Sequence, residues 1–186
     1  AVSKTYTVPA GLTAGNYFLI VGADQPSKTA EANEANNTRA LPIVLNTVDL
    51  TVSANSVPAT ATVGAQIPLG FTITNQGNVA TSGRWVDFVY LSADATLDSS
   101  DVLLAYLNRP NSNPIAVGGT YDVLTNVTIP GDYAPGTRYV LIIADRDSQT
   151  AESNRTNNLR AVPDTLAAPC RHSDGSSRSS KASQGS

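Results

Sequence analysis

Methionine is absent from this 186-residue chain, cysteine and histidine occur once each, and charged residues make up only 15% of it. A single Cys170 excludes an intrachain disulfide, and a thiolate zinc site needs several clustered Cys or His ligands that the chain does not supply. The only imidazole, His172, sits in a Ser-rich tail, so a Ser-His-Asp hydrolase with its positioned base is excluded. The longest apolar runs, Tyr17–Ala23 and Tyr139–Ala144, fall far short of the ~18 residues a membrane helix requires, so membrane insertion is not expected. With 12 Lys+Arg against 15 Asp+Glu, the net charge is -3 and no basic face is offered to a phosphate backbone. Nucleic acid is therefore not an expected partner. A chain without Met at position 1 or an apolar leader is expected to be processed or part of a longer protein.

Hydrophobic residues reach 41%, enough to build a core and unlike the composition of a disordered chain. Residues 167–186 are read as a disordered Ser-rich tail, either a native linker or residues appended to the natural chain. Setting aside its Cys170–Ser186 part leaves a net charge of -5 on residues 1–169.

Internal repetition is the strongest signal. A shift of 121 positions lays Thr5–Leu45 over Asn126–Leu166 without a gap, and 16 of the 41 pairs are identical. Pro9 meets Pro130, Gly15 meets Gly136, and Ala23-Asp24 meets Ala144-Asp145. Thr29-Ala30-Glu31 meets Thr150-Ala151-Glu152, Asn33 meets Asn154, and Asn36-Asn37 meets Asn157-Asn158. A period of this length is domain-sized. Residues 1–46 read as the C-terminal part of a preceding unit and residues 47–166 as a complete one.

The complete unit reads as short β segments separated by turns, with no sustained helical period. Asp49–Ser53 alternates through Leu50 and Val52, and Ile67–Thr74 through Leu69, Phe71 and Ile73. Asn75-Gln76-Gly77-Asn78 is turn chemistry. Further strands are expected at Trp85–Leu91, Asp101–Leu107, Tyr121–Ile129, Thr137–Ala144 and Leu159–Val162. About seven strands without a helix predict an all-β, immunoglobulin-like antiparallel β-sandwich. Trp85 and Tyr139 sit in apolar strand runs and are assigned to the core, not to sugar stacking.

Several stretches in order carry a family resemblance: Thr72-Ile73-Thr74-Asn75-Gln76-Gly77-Asn78-Val79-Ala80, then Val89-Tyr90-Leu91-Ser92-Ala93-Asp94 and Leu97-Asp98-Ser99-Ser100-Asp101. Gly136-Thr137-Arg138-Tyr139-Val140-Leu141, Ala144-Asp145 and Glu152-Ser153-Asn154-Arg155-Thr156-Asn157-Asn158 follow. The chain resembles the CARDB family, the cell-adhesion-related domain of bacteria. That resemblance implies a non-catalytic immunoglobulin-like module, strung in tandem in large extracellular or cell-surface proteins. Its expected partners are adjacent repeats, with a surface protein or carbohydrate as possible ligand and a dimer through residues 1–46 as a further option. The resemblance supplies no catalytic residues.

Two loops carry candidate chemistry. The first holds Asp94, Asp98 and Asp101. The second holds Asp145, Asp147, Glu152 and Asn154 with Asn157 and Asn158, matched in the first copy by Asp24, Glu31, Asn33, Glu34, Asn36 and Asn37. Carboxylate and amide oxygens gathered in a loop suit calcium, although neither loop has EF-hand order. The alternative is that these side chains bond their own backbone in turns. In the second loop, Asn158 is expected to start the final strand while Glu152 and Asn154 bond loop amides. The rival from another class is a carbohydrate-active hydrolase, or its accessory domain, using a carboxylate pair such as Asp98 and Asp101. Asn36, Asn126 and Asn154 match the glycosylation pattern, which matters only in a eukaryotic secretory route.

Overall fold

The computed structural model describes residues 3–9, 12–24, 28–110 and 112–169. The tail from Cys170 onward, His172 included, lies outside the described residues. Among the described residues ten strands are present: β1 Gly15–Gly22, β2 Thr38–Leu45, β3 Leu50–Ser56, β4 Thr60–Thr62, β5 Gln66–Asn75, β6 Trp85–Ser92, β7 Val102–Arg109, β8 Thr120–Thr128, β9 Gly136–Ile143 and β10 Leu159–Ala167. A 3-10 turn, Glu34–Asn36, precedes β2.

Strands β3 to β10 form two facing sheets, one in the order β3-β5-β8 and the other in the order β4-β10-β9-β6-β7. Period-two alternation decides which side chains meet between them. On β5, Ile67, Leu69, Phe71 and Ile73 point inward, and on β6 Trp85, Val89 and Leu91 do so. These residues join Leu50, Val127, Val140, Ile142 and Leu166 in one core cluster. Trp85 is only 1% exposed, as the sequence led us to expect. Tyr139 differs: it packs on the outer side of the larger sheet, against a second cluster of Tyr90, Leu141 and Ile143. The alternation places it one residue out of phase with Val140, which takes the core position.

Among its described residues the unit has eight strands instead of seven. The addition is β4, which pairs with β10 in parallel, Thr165↔Thr60 through Ala167↔Thr62, so the sandwich is not wholly antiparallel. Its three residues, Thr60, Ala61 and Thr62, offer no alternation long enough to mark a strand.

Strands β1 and β2 make a separate two-stranded antiparallel sheet. Their apolar side chains are largely uncovered among the described residues: Phe18 and Ile20 are each 66% exposed and Val21 52%.

Candidate functional site: a clamp on the chain entering the unit

The residues joining β2 to β3 are gripped from two sides. On one side stands the Asn75–Asn78 turn that closes β5. Asn75 is fully buried. Its Oδ1 accepts from the backbone N–H of Asp49 at 3.3 Å and of Gly77 at 3.0 Å, while its Nδ2 donates to the carbonyls of Val79 and Ile115. Asn78 Oδ1 accepts from Thr47 N at 2.9 Å, and its Nδ2 donates to Leu45 O at 3.0 Å. Between the two asparagines Gly77 lies against the passing backbone so closely that a Cβ there would stand 2.2 Å from Thr47 O. Only glycine allows this approach.

On the other side stands the loop between β9 and β10. Glu152 spans the gap: Oε2 accepts from Leu50 N at 2.8 Å and Oε1 from Asn158 Nδ2 at 2.9 Å. Ser153 N donates to Val48 O at 3.0 Å, and Asn157 Nδ2 to the Asp49 carboxylate at 2.8 Å. The Glu152 side chain has no exposed surface, and Arg155 lies 3.3 Å from its Oε1. Burial pushes the Glu152 carboxyl up to about 7, against the opposing pull of the Leu50 amide, Asn158 and Arg155.

Asp145 shapes that loop. It adopts a positive φ of 42°, and its two oxygens accept from Gln149 N and Thr150 N, both at 2.8 Å. The side chain is wholly inaccessible, and Arg155 stands 3.4 Å from Oδ2 while also donating to Thr150 O. Asn154 Oδ1 accepts from the amide and hydroxyl of Thr156, and Asn158 Nδ2 also donates to Ala144 O. Asn154 bonds a loop amide as expected and Asn158 stands one residue before β10, while Glu152 bonds the Asn158 side chain of its own loop and the Leu50 amide of a distant strand instead of loop amides. Asp147 faces outward in an ion pair with Arg146, 3.2 Å apart.

The side chains expected to ligate calcium are already engaged in hydrogen bonds or ion pairs. Every oxygen of Asp145 and Glu152 is committed to a donor, with Arg155 already supplying positive charge to both, and Asp147 points away. Asp94, Asp98 and Asp101 lie in the loop after β6, where they build turns. Asp94 Oδ1 accepts from Thr96 N at 2.7 Å, Asp98 Oδ1 from the Ser100 amide at 2.7 Å, and Asp101 Oδ2 from Asp98 N at 2.9 Å. The Ser100 hydroxyl, then its amide, hold the Asp98 carboxyl below its usual range. Among the described residues no three acidic, His or Cys side chains are grouped to hold a metal ion. Asp98 is exposed and Asp101 half-buried, and both carboxylates are engaged in holding the turn. A depression of about 200 Å³ beside the clamp is lined by a single carboxylate, Asp145.

Two buried acids, Asp87 and Asp164 of β10, escaped the sequence reading. Asp87 of β6 is wholly buried; its Oδ1 accepts from Trp85 Nε1 at 2.9 Å and from Asp145 N at 3.2 Å. Its Oδ2 has no hydrogen-bond partner among the described residues. Burial drives its carboxyl up to about 7. The signal was available in the alternation, since positions 85, 87, 89 and 91 all point inward.

With this geometry in place, comparison with known proteins yields one family: CARDB, matched over residues 47–162. The chain belongs to the CARDB family. The match covers the clamp loops, β3 to β9 and the first residues of β10, but not β1–β2. Among solved structures, a crystal structure of a CARDB domain from Pyrococcus furiosus in complex with di-metal ions is similar at 16% identity and TM-score 0.49, over 65% of this chain and 90% of that one. A solution structure of a CARDB domain from the same organism has 16% identity and TM-score 0.49, over 66% and 97% respectively. A β-glucosidase from Listeria innocua is similar at 18% identity and TM-score 0.43, over 66% of this chain but only 16% of that enzyme. A search of curated proteins finds no match.

Proposed function

We propose that the CARDB unit is a non-catalytic spacer of a multidomain secreted or cell-surface protein, and that its clamp fixes the path of the chain joining it to the preceding unit. The observation that carries this reading is the double grip on residues 45–50, which uses two of the stretches that carry the family resemblance. Inter-domain linkers are ordinarily polar, flexible and sparse in contacts. Here Leu45, Thr47, Val48, Asp49 and Leu50 each exchange a backbone hydrogen bond with the body of the unit. An adhesive or secreted setting is supported by the family and by the internal repeat. A hydrolytic role is disfavoured because the loop carboxylates are engaged in holding turns.

The test is backbone ¹⁵N relaxation on the chain. Thr47–Leu50 should show order parameters near ~0.85, as in β5, whereas values below about 0.6 would make this a flexible hinge and overturn the proposal. In parallel, a panel of chromogenic glycosides should give no turnover that disappears in Asp98→Asn or Asp101→Asn.

A further inference from the structure

We infer that β1–β2 is the closing strand pair of a second sandwich, and that its apolar face is covered by a strand set equivalent to β3–β8 from a preceding unit. A β6-type strand then pairs with the edge of β1. This rests on the tandem-module reading and deepens it by naming the partner.

The structure repeats itself at the 121-residue offset in detail the sequence only hinted at. Strand pairing in β1–β2 follows that in β9–β10 pair for pair, from Gly15↔Leu45 beside Gly136↔Leu166 to Gly22↔Thr38 beside Ile143↔Leu159. Asp24 takes a φ of 46° and accepts from Lys28 N and Thr29 N, as Asp145 takes 42° and accepts from Gln149 N and Thr150 N. Asn33 caps its turn on Ala35 N at 3.0 Å, as Asn154 does on Thr156 N at 3.0 Å. The Ala23 amide bonds Asn37 O at 2.8 Å, as the Ala144 amide bonds Asn158 O at 2.9 Å.

What the two copies do not share is cover. Val140, Ile142 and Ile129 are 0% exposed, while their counterparts Leu19, Val21 and Val8 are 45%, 52% and 48% exposed. In the complete unit β9 also pairs with β6, Leu141 opposite Tyr90. Between Val8, Leu12, Tyr17, Leu19 and Ile43 lies an apolar hollow of about 310 Å³. The side chains that seal the corresponding face of β9–β10 come from β3, β5, β6 and β8. That identifies the occupant from within the chain.

The experiment places a second copy of residues 47–125 directly before Thr5 of the full chain, so that Thr5 follows Thr125 where Asn126 stands in the complete unit. It is read by amide hydrogen exchange and sedimentation velocity. We expect β1 amides to slow by about a hundredfold or more relative to the unextended chain, the added segment to be protected, and the particle to stay monomeric. Leu19→Lys with Val21→Lys in the extended chain should abolish protection of β1–β2 and of the added segment while leaving β3–β10 protected. Unchanged β1 exchange, or an added segment exchanging at unfolded rates, overturns the proposal. So does a dimer of the unextended chain that protects β1 equally, since a second copy would then be the cover. None of these failures touches the Thr47–Leu50 order parameters, which test the spacer reading separately.

Discussion

Trp85 and Asp87 are the two side chains on which the interior depends most individually. Trp85 fills the space between the sheets, and its Nε1 is one of two donors to the buried Asp87 carboxylate. Trp85→Ala should therefore cost about 3 to 5 kcal/mol, from a total that for a domain of this size is about 5 to 15, and lower the melting midpoint by more than about 10 °C. Asp87 sets a pH dependence. Its folded pKa of about 7 lies above the ordinary 3.8, so between these values the folded chain keeps a proton that the unfolded chain releases. Stability is full below the lower value and declines as pH rises through the upper one. Asp87→Asn keeps both accepted bonds without the charge. It should raise the midpoint at pH 8 and flatten the slope between pH 5 and 8, an effect bounded by roughly 4 kcal/mol. Melts of both proteins across that range check this, and a parallel displacement of the two curves would refute it.

At the scale of elements, the clamp joins segments that are close in space and far apart in sequence. Glu152→Ala leaves the Leu50 amide without its acceptor and removes one of the two acceptors of Asn158 Nδ2, and should cost about 2 to 4 kcal/mol, with Leu50 N–H exchange accelerating most. Gly77→Ala drives a methyl into the Thr47 carbonyl and the backbone of Val48 and Asp49. It should cost about 2 to 3 kcal/mol and loosen residues 45–50 before it affects β5. The long strands were legible because Ile67, Leu69, Phe71 and Ile73 alternate without interruption. β4 was not, because Thr60–Thr62 is defined by a partner about a hundred residues away and not by its own pattern. The turn at Asn75–Asn78 was legible as a turn. Its use as a grip on Thr47 and Asp49 was hidden, since nothing local in either segment announces the other. The engagement of the acidic loops was hidden for the same reason: side-chain oxygens can be counted in a sequence, but the amides that bond them cannot.

For the molecule as a whole, a loop whose acceptors are already satisfied gains nothing from a divalent ion. Melting curves with millimolar calcium and with chelator should superimpose within about 1 °C; an ion bound a hundredfold above its Kd would add about 2.7 kcal/mol and separate them clearly. The parallel pair of β4 and β10 bears on a different property. β4 lies near the start of the unit and β10 ends it, and they are tied by Thr165 N to Ala59 O at 3.1 Å and Val63 N to Ala167 O at 3.0 Å. When the two ends of the unit are pulled apart, parallel strands slide along each other and their cross-bonds are loaded together, whereas an antiparallel hairpin peels open one bond at a time. A unit closed in this way resists tension best along its own chain, and it yields only when the whole β4–β10 seam shears at once.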